Sequence, residues 1–175
     1  RRYKGALQRQ KISAPKTIIL DGSTAQWDEV SPKYVCDKGT TVHRDHDGFV
    51  GTHYTNFTGR NDFVVSKVSA DADNVYFYAE CANDITSAEG TNWMNLFIDA
   101  DCNAQTGWYG YDYLINRSRD GKNVSVEKFV GKDTWAFETV GSVAYTREGN
   151  VMQVKLPKAM IGFTDTMDFK WADNS

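Results

Sequence analysis

Val75-Tyr76-Phe77-Tyr78-Ala79-Glu80-Cys81 is the stretch from which the fold is read. Val75, Phe77, Ala79 and Cys81 alternate with Tyr76, Tyr78 and Glu80, and a period of two puts the first set on one face of a β-strand. Upstream lies Asp71-Ala72-Asp73-Asn74, a cluster that tolerates the backbone of a tight turn, and before it another β-rich run over 63–70. Two such runs joined by such a turn read as an antiparallel hairpin.

The same grammar extends outward. Short runs of Val, Ile, Phe, Tyr and Thr predict strands over 17–20, 63–70, 75–82, 93–100, 111–117, 123–130, 134–140, 143–147, 151–156 and 167–171. Turn chemistry recurs at Asp120-Gly121-Lys122-Asn123 and Arg147-Glu148-Gly149-Asn150. Met94, Leu96 and Ile98 form a second inward row, so the expected architecture is an all-β antiparallel sandwich whose two sheets bury these rows. One short helical turn is expected over 157–161, entered by Pro157 and ended by Gly162. Residues 36–62 are polar, rich in Gly and His and aperiodic, which predicts a long loop or an irregular edge. Residues 1–16 read as a linker or tail of an upstream domain, and 17–175 as one module.

Net charge is −3, with acids and bases interspersed, so no basic face for nucleic acid is present in the pattern. Apolar runs fall far short of the roughly 18 residues that cross a bilayer, and no membrane insertion is expected. The chain begins Arg1-Arg2-Tyr3-Lys4-Gly5, without an initiator Met or an apolar leader, and reads as a piece of a longer polypeptide. Cys36, Cys81 and Cys102 allow at most one internal disulfide and match no zinc or redox spacing; Cys81 reads as a small buried hydrophobe.

Chemistry concentrates in Asp99-Ala100-Asp101-Cys102-Asn103-Ala104-Gln105-Thr106-Gly107, closing on Asp112. Oxygen side chains at alternate positions after a strand can converge on one point, and dense hard oxygen donors suit calcium. An EF-hand is rejected because Ala104 and Gly110 stand where its glycine and terminal glutamate belong. Asp99, Asp101, Asn103, Thr106 and Asp112 are therefore the metal candidates, against the plainer reading of an acidic turn that caps its own amides. A second stretch, His43-Arg44-Asp45-His46-Asp47-Gly48, offers mixed nitrogen and oxygen donors but reads first as a solvated turn. No Gly-x-Ser-x-Gly nucleophile motif occurs, and no pair among the 23 acids is singled out for glycoside hydrolysis.

Aromatic residues make up 13% of the chain, and those in turn-rich stretches are candidates for stacking on sugar C–H faces. These are Trp108, Tyr109, Tyr54 and Phe57, with Arg60 as a polar partner for hydroxyls. Trp27, Trp93, Trp135 and Trp171 lie in or beside predicted strands and are expected in the core.

Three segments resemble the family 9 carbohydrate-binding modules: Ile18-Ile19-Leu20-Asp21-Gly22-Ser23 through Trp27-Asp28, Val75-Tyr76-Phe77-Tyr78-Ala79, and Leu96-Phe97-Ile98-Asp99-Ala100-Asp101-Cys102-Asn103. Their order and spacing span residues 17–171. The resemblance implies a jelly-roll β-sandwich appended to a secreted glycoside hydrolase, with structural calcium at Asp99, Asp101 and Asn103 and a sugar site flanked by aromatics. The expectation is therefore a non-catalytic carbohydrate-binding module, secreted, periplasmic or at the cell surface, with an oligo- or polysaccharide and an upstream domain as partners. Its rivals are an interaction domain that packs on the upstream domain without glycan, and a hydrolase with an unrecognised carboxylate pair.

Overall fold

The computed structural model of this chain describes residues 10–39, 44–47 and 53–174. Its strands are β1 (Lys33–Val35), β2 (Arg44–Asp47), β3 (His53–Asn56), β4 (Phe63–Ala70), β5 (Asn74–Cys81), β6 (Asn95–Asp99), β7 (Tyr113–Arg119), β8 (Asn123–Phe129), β9 (Phe137–Glu148), β10 (Val151–Pro157) and β11 (Asp168–Ala172). Nine of them form one antiparallel sheet in the order β1-β4-β5-β10-β9-β8-β7-β6-β11, and β2 and β3 form a separate hairpin. The fold is all-β, as the alternation predicts.

The sheet is curled. Val75, Phe77, Ala79 and Cys81 of β5 share one buried cluster with Leu96 and Ile98 of β6, Ile115 of β7, Val124 and Val126 of β8, and Met152, Val154 and Leu156 of β10. Strands far apart in the sheet order thus face each other across a common core, and each of the Val, Leu, Ile, Phe and Met side chains contributes about 1.5–3 kcal/mol by leaving water. The long strand β9 makes the bend possible. Phe137 to Ala144 pair with β8, whereas Tyr145 to Glu148 pair with β10, so one strand serves both halves.

Tyr76 and Tyr78 point away from this core yet are buried, because the amino-terminal segment crosses the outer face of β4 and β5. Ile18, Trp27 and Val30 pack there, Trp27 Nε1 donates to Gln153 Oε1 at 2.8 Å, and Lys67 Nζ donates to the Trp27 carbonyl. Residues 17–20 are consequently not the strand that their β-branched character predicts. The Gln26 side chain takes the place of a neighbouring strand, accepting from the Ile19 N–H at 2.9 Å and donating to the Ile19 carbonyl at 2.8 Å. Attachment begins earlier than residue 17, since Ser13 N–H donates to the Ser31 carbonyl and Lys16 N–H to the Ala70 carbonyl.

Three more expectations are revised. The predicted loop over 36–62 contains the β2–β3 hairpin, and its polar, His-bearing strands lack the apolar alternation that betrays strands facing a core. The strands predicted over 134–140 and 143–147 are one strand, β9, because Gly141 and Ser142 continue the ladder to β8. The helical turn over 157–161 is a shorter 3₁₀ turn, Lys158–Met160, and an unforeseen one spans Thr24–Trp27, capped by the Ser23 hydroxyl.

Asp71, in the β4–β5 turn, anchors the covering segment. Its carboxylate accepts from Tyr76 Oη at 2.6 Å, Thr17 Oγ1 at 2.8 Å and the N–H groups of Asp73 and Asn74. The Tyr76 hydroxyl is the first cause of a pKa held far below the ordinary carboxylate range. A depressed folded pKa contributes stability above the unfolded value of about 3.9 that is lost as pH falls through the folded one. Wild type is therefore expected to lose more stability between pH 7 and pH 2 than Asp71→Asn, as read from urea midpoints; equal losses would remove Asp71 as the acid-sensitive anchor.

Candidate functional site

The acidic loop follows β6 because the strand ends at Asp99, where backbone geometry changes sharply. Cys102, Gly107, Tyr109 and Gly110 all have left-handed φ, at 54°, 58°, 50° and 91°. The chain thus curls back on itself before Trp108 and Tyr111 bridge and β7 begins. Asp112 is fixed at the mouth of the curl: its N–H donates to the Ile98 carbonyl and its carboxylate accepts from the Ala100 N–H, both at 2.8 Å.

One carboxylate oxygen each from Asp99, Asp101 and Asp112 lies within 4.8 Å of the others. The Asn103 N–H donates to Asp99 at 3.2 Å and to Asp101 at 2.8 Å, while Asn103 Oδ1 accepts from the Gln105 N–H. Thr106 Oγ1 lies 3.0 Å from both Asp101 oxygens and 2.8 Å from the Asn103 carbonyl, and its single proton serves one acceptor at a time. Burial, then the negative charges of Asp112 and Asp101, pushes Asp99 up to about 6. Asp112 is raised as well, burial again coming first. Three carboxylates so placed are costly when ionised together, and a divalent cation in their midst reverses that cost. The predicted metal residues are thus neighbours in space, with Asn103 and Thr106 holding the carboxylates through hydrogen bonds.

A second feature abuts the loop. Phe97, Leu114 and Phe129 form a cluster on the face of β6–β8 opposite the main core, joined by the half-buried Trp108, Tyr111 and Phe137. Trp135 and Tyr109 stand on this cluster with 49% and 39% of their surfaces exposed. Trp135 meets Trp108 edge to face at 4.7 Å and 72°, and Tyr109 meets Trp108 at 5.3 Å and 85°. The residues after β8 are tied to the acidic loop: Asp133 N–H donates to the Gly107 carbonyl at 2.8 Å, Tyr109 N–H donates to Asp133 Oδ1 at 3.1 Å, and Lys132 Nζ donates to Gln105 Oε1 at 2.7 Å.

Tryptophan placement corrects the sequence reading at one position. Trp27, Trp93 and Trp171 are buried as expected, but Trp135 is not, because it follows a turn at Gly131 and Asp133 and rests on the outer cluster. The signal was available: Phe97, lying between the inward Leu96 and Ile98, has to face outward and needs a cover.

Arg60 belongs elsewhere. Its Nε donates to Asp173 Oδ1 at 2.7 Å and its Nη2 to the Asn174 carbonyl at 3.2 Å, with the side chains of Arg60 and Asp173 only 12% and 2% exposed. Asp173 also accepts from Asn61 Nδ2 and the Met94 N–H, which makes Arg60 a clamp on the carboxyl-terminal segment instead of an open sugar contact. Tyr54 lies in β3 with its side chain outside the described residues, and Phe57 is exposed beyond that strand. Of the His-rich stretch, His43 and Gly48 lie outside the described residues; Asp45 pairs with His53 at 2.6 Å. Cys36, Cys81 and Cys102 are free thiols, and burial pushes Cys81 up to about 12.

No family model, no curated protein and no solved structure matches this chain.

Proposed function

We propose that the chain is a non-catalytic carbohydrate-binding module whose sugar site is the exposed Trp135 and Tyr109 on the outer aromatic cluster, with Trp108 beneath them. The single observation that carries this reading is the exposure of two large rings on a packed aromatic base, since pyranose C–H faces bind such preorganised surfaces at low entropic cost. Asp133, Lys132 and Gln105 surround them and supply polar groups for hydroxyls. The all-oxygen donor set supports calcium as the loop's cofactor, with Asp99, Asp101 and Asp112 as first ligands and Asn103 and Thr106 beside them. Two sheet halves facing through one core support a sandwich of the jelly-roll type. In this reading the module acts outside the cytoplasm, in the periplasm, at the cell surface or secreted, and follows an upstream polysaccharide-processing domain.

A glycan array probed with and without calcium tests the proposal. Binding to an oligosaccharide is expected, weakened at least tenfold by Trp135→Ala and by chelator, the size of one lost aromatic or ordering contribution of about 1.4 kcal/mol. Calcium at 100 times its dissociation constant should stabilise the folded chain by about 2.7 kcal/mol, and Asp101→Ala should abolish that rise in melting temperature. An array without a hit in either condition would remove the saccharide. Identical melting in calcium and chelator would remove the ion.

A further inference from the structure

Glu127 stands opposite Leu114 in the β7–β8 ladder, on the face of the outer aromatic cluster, yet its side chain is only 8% exposed. Arg117 is both its cover and its counter-ion. The Arg117 Nε donates to Glu127 Oε2 at 3.0 Å, and the guanidinium carbon lies 4.3 Å from the centre of the Phe137 ring. Phe137 in turn meets Trp135 edge to face at 5.8 Å, so the guanidinium is held one ring away from the exposed tryptophan. A buried ion pair adds little stability over apolar side chains of similar size, and this one lies outside the main core. What the pairing does is fix a position. Nε alone serves Glu127, and neither Nη1 nor Nη2 of Arg117 has an acceptor among the described residues. Four N–H donors thus stand on a side chain that is 35% exposed and whose guanidinium is set in place by a ring and a carboxylate.

We propose that Arg117 is the hydroxyl-reading residue of the saccharide site, and that the site takes a neutral pyranoside with adjacent equatorial hydroxyls. The inference rests on the reading of Trp135 as the stacking platform. A sugar lying on Trp135 carries its equatorial hydroxyls at the rim of its ring, and two neighbouring ones are close enough together to accept from the paired Nη groups of one guanidinium. Acidic sugars are disfavoured because Glu127 already meets the guanidinium charge. That carboxylate is too buried for solvent to screen it, and a second carboxylate on the same guanidinium faces it at short range. The charges of Asp133 and Lys132 beside the platform balance each other.

Calorimetric titration of the full chain, with cellotetraose as the neutral probe and tetragalacturonic acid as the acidic one, tests the proposal. Wild type is expected to bind cellotetraose about tenfold more tightly than the acid. Arg117→Lys should weaken cellotetraose about tenfold, because an ammonium cannot hold two donors in a fixed fork. Arg117→Met with Glu127→Leu removes both charges and strands neither, and its loss of affinity should match that of Arg117→Lys. Recovery of wild-type affinity in this double variant would make Arg117 a cover for Glu127 only and overturn the proposal, as would unchanged affinity in Arg117→Lys. Preference for tetragalacturonic acid, or no binding of cellotetraose, would overturn the ligand class. Trp135→Ala keeps the two readings apart. If it weakens cellotetraose while Arg117→Lys does not, the platform stands and the inference falls; if it changes nothing, the platform itself falls.

Discussion

Gly107→Ala is expected to cost on the order of 4 kcal/mol, in the exceptional tail of single substitutions. Gly107 has φ of +58°, and a Cβ there would stand 1.9 Å from the Tyr111 carbonyl oxygen and 2.6 Å from its carbon. Both are backbone atoms, and that oxygen accepts the Trp108 N–H, so moving it breaks the bridge that closes the loop. Gly121 is the control. It too has positive φ, at +92°, but nothing lies within 4 Å of its added Cβ, so Gly121→Ala should cost only about 1 kcal/mol of backbone strain. Urea midpoints of the two variants separate the clash from the strain, and equal losses would show that the loop yields freely around Tyr111.

The second large effect is expected at Asp173→Ala, which should cost about 3 kcal/mol because it leaves the Arg60 guanidinium almost dry, with only the exposed Glu89 carboxylate at 3.9 Å beside it. The loss reaches further than one pair. Asn61 Nδ2 and the Met94 N–H donate to the same carboxylate, and both residues hold left-handed backbone, with φ of 52° and 46°. Replacing both charges, as in Arg60→Met with Asp173→Leu, should recover a good part of the loss, since an apolar pair of similar size avoids the stranded charge. A cost below about 1 kcal/mol for the single variant would place the pair in the solvated class, and Arg60 would again be a candidate for contact with sugar.

Much of the fold was legible because the chain follows a local rule. Phe63 to Cys81 reads as a hairpin from its alternation and its Asp-rich turn, and β4 and β5 occupy almost the predicted bounds. The rule fails where a partner lies far away in sequence. Ile18 and Ile19 have strand composition, yet a glutamine side chain and the outer face of β5 decide their conformation. The hairpin of β2 and β3 has strand geometry without apolar alternation in its sequence, so the period of two that marks the other strands gives no signal there. The acidic loop was readable because Asp99, Asp101 and Asn103 are neighbours on the chain; the aromatic base was not, because Phe97, Phe129 and Phe137 meet only when β6, β8 and β9 are laid side by side.

That β9 belongs to both halves of the curled sheet has a consequence for how the molecule comes apart. Seven of its first eight residues pair with β8, Val140 being skipped at a bulge, and its last four pair with β10, so neither half can detach without pulling the same strand out of register in the other. Two sheets joined only by loops can melt as separate cooperative units. Here a shared strand couples them into one, and a single unfolding transition, the same by backbone and by tryptophan signals, is the expected result.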